Sequence, residues 1–421
     1  MRHIDVLVIG GGPAGLAAAL SAHQNGVEVL LVEREGRLGG ILKQCIHDGF
    51  GLIHFGEKLS GPEYAERYEE KFMEEKIDFL TDAFVTDIQE TNHLYEVSIV
   101  TKQGIQQFSC TSLILATGCR ERTSKQVFIH GTRPAGIFSA GTAQHLTNLL
   151  GEMPTKKCVI LGSGDIGLIM ARRLTLEGAK VCGVYEVKST PSGLDRNIAQ
   201  CLDDYEIPLY LSHTVTRVFG DHRLTAVEVA KVDEKMQVIK GSEQIVECDA
   251  LILSVGLIPE NEIAEKLGIL LDIQTKGPVC NTEFMTIKAG VFSCGNALHV
   301  NDLVDYVSES GELAGSFAAD YVKNGGKTTT GIKIEKDEHF AYLVPQILSL
   351  SENQEKTILY FRSRMEMKEA KFQLLVDEKV VLEKSMRNLK PPEMEKLELE
   401  IQGWKLTEKS KIRCKLITIE E

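Results

Sequence analysis

Residues 5–33 have the sequence DVLVIGGGPAGLAAALSAHQNGVEVLLVE, and this stretch decides the fold. It holds an apolar run at 5–10, a glycine-rich turn ending at Gly15, a helical run at 16–25, and a second apolar run closing with Glu33. This order of strand, glycine turn, helix, strand and acid predicts a β-turn-α-β unit that binds a dinucleotide. We expect phosphates at the helix start, where unpaired amides and a partial positive charge favour anions.

The same order of features returns at residues 157–186. A strand-like run leads into the turn GSGDIG, a helical run follows at 168–177, and the next strand ends at Glu186. In both copies the first glycine permits the tight turn, the second lets a pyrophosphate approach the backbone, and the third lets helix and strand pack closely. The terminal acids Glu33 and Glu186 are candidate acceptors for ribose hydroxyls.

Further strands are predicted by SLILATG at 112–118, DALILSVG at 249–256 and GVFSCGN at 290–296, the last followed by a helical stretch through residue 321. The interval at 79–109 is also rich in β-forming residues. Strands that alternate with helices in this way favour an α/β fold with parallel sheets.

Composition excludes several classes of protein. The chain has 421 residues and a net charge of −13, without a long basic run, which disfavours binding to nucleic acid or to anionic membranes. We find no signal-peptide pattern at residues 1–9 and predict no membrane span. The ten cysteines are scattered without a C-x-x-C pair, which favours reduced thiols in a cytoplasm and argues against structural zinc and an iron–sulfur cluster. We predict no metal site.

The ordered series GGGPAG, ATG, GSGDIG, SVG and GVFSCGN resembles the flavoproteins with two dinucleotide-binding domains, the glutathione-reductase and thioredoxin-reductase class, over residues 1–325. The resemblance implies that the first turn binds FAD, the second binds a nicotinamide dinucleotide, and the NAD domain is inserted within the FAD domain. We therefore predict an α/β fold with two Rossmann-like domains. The FAD-binding domain comprises 1–124 and 246–330, and the NAD(H)-binding domain comprises 125–245.

Residues 331–421 differ in character, being charged and poor in glycine. Alternating runs at 357–364, 372–376 and 411–418 predict a small C-terminal antiparallel β-sandwich. This domain departs from the α/β dimerisation domain of the glutathione-reductase class. It is either a surface for partner contact or a domain that caps the flavin domain.

Shorter motifs are similar to one subfamily: GILKQCIHDGFG at 40–51, GCRER at 118–122 and GTRPAGIFSAGTAQ at 131–144. These are the flavoproteins that accompany a glycerol-3-phosphate-dehydrogenase-like subunit, often labelled NADH oxidase or FAD-dependent oxidoreductase. The resemblance implies an oligomer that exchanges a hydride between NAD(H) and FAD. It also implies electron exchange with a partner flavoprotein subunit, and it allows for a small cysteine-rich protein as a further partner.

For FAD, the resemblance carries over residues along the whole cofactor. They are Gly10, Gly12, Pro13, Ala14 and Gly15 at the pyrophosphate, Glu33 at the adenosine ribose with Arg34 beside it, Val85 at the adenine, Ala116 and Gly118 in close approach, Gly39, Gly40 and Ile41 near the ribityl-isoalloxazine end, Gly295 and Asn296 near the ribityl chain, and Val304 and Asp305 at a helix start facing the flavin N1–C2=O2 edge. Asn296 replaces the aspartate of the class, so an amide stands where a carboxylate would bind.

For the second nucleotide, the candidate residues are those of the turn and the acid beyond it: Gly162, Gly164, Asp165, Ile166, Gly167 and Glu186. A carboxylate at the ribose repels a 2′-phosphate, so we expect NAD(H) rather than NADP(H). Lys188 lies just beyond and keeps NADP(H) open as an alternative.

The path of electrons after the flavin is open at this point. No two cysteines form the C-x-x-C or C-x4-C pair of a disulfide reductase. Cys45, with His47 nearby to lower its pKa, is the candidate catalytic thiol, with a buried inert thiol as the alternative reading. Two rival functions follow: a stand-alone NADH oxidase or peroxidase that uses Cys45, and a non-catalytic, flavin-containing assembly subunit.

Overall fold

The computed structural model describes residues 1–350, 356–401, 404 and 406–419. Ten residues of the predicted C-terminal domain, 351–355, 402, 403, 405, 420 and 421, lie outside the described residues. The chain divides into two compact units, unit 1 at Met1–Cys119 with Pro259–Glu421 and unit 2 at Arg120–Ile258. The insertion of one unit within the other, as predicted, is therefore present.

The first part of unit 1 begins with the predicted strand, turn and helix. Its elements are β1 (Arg2–Ile9), α1 (Pro13–Gln24), β2 (Val29–Val32), β3 (Asp48–Phe50), β4 (Leu59–Ser60), α2 (Gly61–Glu74), β5 (Asp78–Leu80), β6 (Phe84–Thr91), β7 (Leu94–Thr101) and β8 (Gly104–Leu115), with a short 3-10 helix at Gly40–Gln44. Helix α1 begins three residues before the predicted run, because proline at the first helical position loses no hydrogen bond there.

Unit 2 repeats the strand, turn and helix around a parallel sheet. After β9 (Cys119–Glu121), the elements are β10 (His130–Gly131), β11 (Ile137–Ser139), α3 (Ala140–Leu149), β12 (Lys157–Leu161), α4 (Asp165–Leu176), β13 (Lys180–Glu186), α5 (Asp195–Cys201), β14 (Leu209–Leu211), β15 (His213–Phe219), β16 (Ala226–Lys231), β17 (Gln244–Glu247), β18 (Ala250–Leu253) and β19 (Leu257–Pro259), with 3-10 turns at Ser124–Val127 and Asp203–Tyr205. The five-stranded sheet has the order β11-β18-β12-β13-β14, and all its pairs are parallel.

The chain then returns to unit 1 with mostly β structure. The elements are α6 (Glu262–Lys266), β20 (Val291–Ser293), a 3-10 turn (Gly295–Ala297), α7 (Val304–Lys323), β21 (Gly331–Lys336), β22 (Phe340–Val344), β23 (Ile347–Ser349), β24 (Lys356–Ser363), β25 (Met367–Val376), β26 (Lys379–Leu389), β27 (Glu395–Glu400) and β28 (Ile412–Thr418). Strand β20 pairs in parallel with β8. It thereby completes the parallel part of the unit 1 sheet, which also contains β1, β2 and β5.

The predicted domain boundaries differ from those of the compact units. We predicted 125–245 for the inserted domain, whereas unit 2 also contains 120–124 and 246–258. The reason is β18, which pairs with β12 in the unit 2 sheet, with Ala250 opposite Cys158. Its apolar sequence fits a central strand of either unit, so pattern alone could not assign it.

The C-terminal residues form two packed sheets, as the β-sandwich prediction requires. One sheet has the order β23-β21-β28-β25-β26 and the other β22-β24-β27. Phe361 of β24 stacks on Phe372 of β25 with ring centroids 5.7 Å apart, which joins the two sheets in one apolar core. The purely antiparallel expectation was wrong in one place, because β21 pairs in parallel with β28, Ile334 lying opposite Ile412.

Helices α1 and α7 cross at close range in unit 1. A Cβ on Gly311 would lie 2.2 Å from the carbonyl oxygen of Ala14, and one on Gly315 would lie 2.2 Å from that of Ala18. Small residues on both helices therefore allow their backbones to approach. This contact brings the start of α7 towards the first glycine loop.

Candidate functional site

Glu33, at the end of β2, holds the first glycine loop. Its Oε2 accepts a hydrogen bond from the amide of Gly11 at 2.6 Å, and its Oε1 accepts one from the amide of Glu35 at 2.7 Å. The side chain is buried, and a carboxylate has further lone pairs that a ribose hydroxyl can use. The acid therefore fixes the loop as well as offering acceptors to a nucleotide.

Glu186 holds the second loop in the same way. Its Oε2 accepts hydrogen bonds from the amide of Ser163 at 3.0 Å and from the Ser163 hydroxyl at 2.6 Å, while its Oε1 accepts one from the amide of Lys188 at 3.1 Å. This acid is also buried. The correspondence between the two copies thus extends from sequence to individual hydrogen bonds.

The turns themselves need glycine at their first position. Gly10 has a φ of +110° and Gly162 a φ of +96°, which L side chains rarely adopt. A Cβ on Gly10 would lie 2.3 Å from the carbonyl oxygen of Ala116, and one on Gly162 would lie 2.0 Å from that of Ser254. Each turn therefore lies directly against the neighbouring strand end.

In the described part of the chain, the helices of ten residues or more differ in whether a side chain caps their N-terminus. Helices α2 and α3 begin after Ser60 and Ser139, whose hydroxyls accept a hydrogen bond from the first turn. Helices α1, α4 and α7 begin after Gly12, Gly164 and Leu303 and have no side-chain cap. The amides at these three starts are the donors that a pyrophosphate, or the electron-rich edge of a flavin, would need. The residues present therefore fit two dinucleotides.

The structure brings most of the predicted FAD residues to the first loop. The amide of Gly39 donates to the carbonyl of Gly11 at 2.9 Å, and a Cβ on Gly40 would lie 2.9 Å from the Cα of Gly12. The amide of Ala83, two residues before Val85, which we predicted to contact the adenine, donates to the carbonyl of Glu33 at 3.0 Å.

Other residues that we predicted to bind FAD have different surroundings. Arg34 forms an ion pair with Glu260 at 3.0 Å, so its charge is already partnered. Ile41, in the 3-10 helix, is 60% exposed. Gly118 accepts a hydrogen bond at its carbonyl from the amide of Glu260 at 3.0 Å.

Gly295 and Asn296 approach the loop from β20. A Cβ on Gly295 would lie 2.7 Å from the Cβ of Ala14. The Asn296 amide nitrogen lies 3.6 Å from the Cys119 sulfur, and its oxygen accepts a hydrogen bond from the amide of Asn301 at 3.0 Å. Asn296, which stands where the class has an aspartate, is thus hydrogen-bonded within the chain through both the nitrogen and the oxygen of its side-chain amide.

Helix α7 begins at Val304, as predicted, and its first turn carries the buried Asp305. The Oδ1 of Asp305 accepts a hydrogen bond from the amide of His54 at 2.9 Å. This contact ties the 45–60 segment to the start of α7.

Cys45 does not have the environment that we expected. Burial raises the pKa of its thiol to about 12, rather than His47 lowering it. The thiol lies 3.4 Å from the carbonyl oxygen of Ile41, and Nδ1 of His47 lies 3.3 Å from the carbonyl oxygen of Asp48. The expected direction of the pKa shift was therefore wrong.

A polar group lies between α2 and α7, and the sequence did not indicate its members on these two helices. The Tyr68 hydroxyl lies 2.9 Å from Nε2 of His54 and donates to Oε1 of Glu312 at 3.0 Å. One signal for α2 was present, since SGPE at 60–63 is a capping box in which the Glu63 carboxylate accepts a hydrogen bond from the amide of Ser60 at 2.7 Å. Nothing in the sequence pattern indicated the partners on α7.

The fold and the paired loops define a class, the α/β proteins with two Rossmann-like dinucleotide-binding units. The sequence pattern of the pyridine nucleotide-disulphide oxidoreductases matches residues 4–314, and the chain belongs to this family. Proteins of this family are oxidoreductases that use FAD and NAD(P)H, so the predicted enzyme class and both kinds of cofactor are confirmed.

Individual relatives are distant. Hydrogen cyanide synthase subunit HcnB of Pseudomonas protegens is 27% identical over 289 residues, 63% of this chain and 59% of that protein. One subunit of the opine oxidase of Agrobacterium tumefaciens is 22% identical over 335 residues, 75% of this chain and 64% of that protein. The chain thus spans less than two thirds of the length of either relative.

Among solved structures, thioredoxin reductase of Lactococcus lactis superposes with a TM-score of 0.63 at 20% identity, covering 76% of this chain and 99% of that one. This similarity confirms the fold. Within the residues that the structure describes, no helix has both the length and the apolar character to cross a bilayer.

Proposed function

We propose that this chain exchanges a hydride between NAD(H) and FAD and passes electrons to or from a partner flavoprotein subunit. The observation that carries the proposal is the duplicated loop, in which a buried acid holds the glycine turn and an uncapped helix follows. Under this proposal FAD binds unit 1 and NAD(H) binds unit 2. FAD, when bound, supplies the redox chemistry.

The chain's own residues bind and orient the two cofactors. Amides at the starts of α1 and α4 hold phosphates, and Glu33 and Glu186 accept hydrogen bonds from ribose hydroxyls. The start of α7 stabilises negative charge, because the helix dipole is positive there. A carboxylate at 186 disfavours a 2′-phosphate, which supports NAD(H) as the nicotinamide cofactor.

An external electron acceptor is supported by two observations. No pair of cysteines has the C-x-x-C or C-x4-C spacing of a disulfide reductase, and the thiol of Cys45 is held protonated by burial. Two of the relatives are named as subunits, which supports a partner for this chain too. The motifs at 40–51, 118–122 and 131–144 support a glycerol-3-phosphate-dehydrogenase-like flavoprotein as that partner, in a cytoplasmic oligomer, with a small cysteine-rich protein as a further member.

Turnover of the purified chain tests this proposal. We expect slow NADH consumption with oxygen as sole acceptor and fast consumption with a dichlorophenolindophenol dye, which stands in for the partner. Co-expression with the glycerol-3-phosphate-dehydrogenase-like flavoprotein should give a complex that reduces the dye with glycerol 3-phosphate. Fast oxygen turnover that Cys45→Ser abolishes would instead establish a stand-alone oxidase.

A further inference from the structure

We propose that Arg362, in the C-terminal β-sandwich, is a positioning residue for the flavin end of α7. It holds residues 299–303, the loop from which that helix starts. The inference rests on the proposed function, because it concerns the FAD of unit 1. It makes the C-terminal sandwich part of the flavin site rather than only a surface for a partner.

Arg362 lies on β24 and joins three segments of the chain. Its Nε donates to the Tyr342 hydroxyl at 3.1 Å, and its Nη1 donates to the carbonyl of Pro392. Its Nη2 donates to the carboxylate of Asp302 and to the carbonyl of Val300 at 3.4 Å. A guanidinium has five donors in a rigid plane, so it can serve these acceptors together, which an ammonium cannot do.

Asp302 is bound to the sandwich through both carboxylate oxygens. Besides the bond from Arg362, its Oδ2 accepts a hydrogen bond from the amide of Met394 at 2.6 Å. Asp302 immediately precedes Leu303, the N-cap of α7. The residue before the cap is therefore fixed by the sandwich and not by α7 itself.

A second contact follows in the helix. Oε1 of Glu309 forms an ion pair with Nζ of Lys396 at 2.6 Å, and Oε2 accepts a hydrogen bond from the Tyr360 hydroxyl at 3.2 Å. Lys396 and Tyr360 belong to neighbouring strands of the same sheet, β27 and β24. The start of α7 is thus held at two points, Asp302 and Glu309.

The space between these contacts is filled by His299. Its ring lies 5.9 Å from that of Tyr342 and 5.0 Å from that of Tyr360, and the residue is 1% exposed. Burial, together with the charge of Arg362, lowers the pKa of His299 to about 3. A neutral imidazole places no second positive charge beside the guanidinium.

The consequence concerns the charge of the flavin. Reduction adds negative charge at the N1–C2=O2 edge, and an aligned helix N-terminus stabilises it. A looser loop at 299–303 should therefore destabilise the reduced cofactor more than the oxidised cofactor. The midpoint potential of the bound flavin therefore reports on the position of α7.

The test is a redox titration of the FAD-loaded full chain. Arg362→Met removes the guanidinium and keeps an unbranched side chain, while Arg364→Met makes the same change at an exposed position just beyond β24. We expect Arg362→Met to reduce the preference for reduced over oxidised FAD about tenfold, a midpoint potential about 30 mV more negative for a two-electron couple. Arg362→Lys should fall between this variant and the wild type, and Arg364→Met should match the wild type.

Equal potentials for Arg362→Met, Arg364→Met and the wild type would overturn the inference. If Arg362→Met does not yield folded protein, Asp302→Asn keeps the size of the side chain and carries the same test. It should also give a more negative potential, and an unchanged one would overturn the inference. A wild-type chain that takes up no FAD would overturn the proposed function and this inference with it, whereas equal potentials in loaded proteins overturn the inference alone.

Discussion

Glu186 accepts two hydrogen bonds from Ser163, one from the amide at 3.0 Å and one from the hydroxyl at 2.6 Å. In the first loop the corresponding residue is Gly11, which donates only its amide to Glu33. The acid of the second loop is therefore tied to its turn by one more bond. Under the proposed function, this fixed carboxylate is the group that selects between NAD(H) and NADP(H).

The first prediction changes that charge. Glu186→Gln keeps one oxygen acceptor for Ser163 but removes the repulsion of a 2′-phosphate. The ratio of kcat/KM for NADH to that for NADPH should fall about tenfold, which corresponds to about 1.4 kcal/mol. Glu247→Gln, at an exposed acid on β17 of the same unit, is the control. An unchanged ratio in Glu186→Gln would show that the selection is made elsewhere.

The second prediction concerns the first loop. A Cβ on Gly15 would lie 1.7 Å from the carbonyl oxygen of Gly10, so Gly15→Ala must displace the turn. We expect the purified variant to lose most of its FAD and its unfolding free energy to fall by about 1–3 kcal/mol. In Gly36→Ala the new Cβ would meet Asp82 Oδ1 at 3.5 Å, an ordinary contact, so this control should keep its flavin. Full FAD content in Gly15→Ala would contradict the assignment of the loop.

The third prediction is a pH dependence of stability that depends on His299. Its pKa is about 3 in the folded chain against an ordinary value of 6.5, so below pH 6.5 the unfolded chain binds a proton that the folded chain does not. The contribution of neutral His299 to the free energy of unfolding is complete above pH 6.5. It falls as the pH drops towards 3, by at most about 1.4 kcal/mol per pH unit.

His299→Phe should remove this dependence, because phenylalanine fills the space between the two tyrosine rings without titrating. Denaturant unfolding between pH 6.5 and 5 measures it, in a range where most carboxylates stay ionised. His222→Gln, at an exposed histidine, should retain the wild-type slope. Identical slopes for His299→Phe and the wild type would refute the prediction.

The fourth prediction concerns thiol reactivity. Because burial raises the pKa of Cys45 to about 12, little thiolate exists near neutral pH, and only the thiolate is nucleophilic. Alkylation of Cys45 by iodoacetamide, followed by peptide mass spectrometry, should be much slower in the native chain than in the denatured chain. The rate should still be rising at pH 9. Rapid labelling at pH 7 would restore Cys45 as a candidate redox thiol.

Local patterns predicted the parts of this molecule that local physics determines. The loop, helix and acid of each copy follow from glycine spacing and apolar runs, and α4 ends at Leu176, one residue before the predicted end. The hydrogen bond between Arg362 and Asp302 joins residues 60 positions apart, so the periodicity of the sequence does not indicate it. The parallel pairing of β21 with β28 was missed for the same reason, since strand direction depends on the path of the chain between strands.

The most direct test of the central claim is anaerobic mixing of the FAD-loaded chain with NADH. We predict that the visible absorbance of the oxidised flavin bleaches within about a second, in keeping with common kcat values. Gly167→Ala, whose Cβ would lie 2.7 Å from that of Ser254, should retain its flavin but bleach only at higher NADH concentrations. A flavin band that persists for minutes with excess NADH in the wild-type chain would contradict the claim that a hydride passes between the two cofactors.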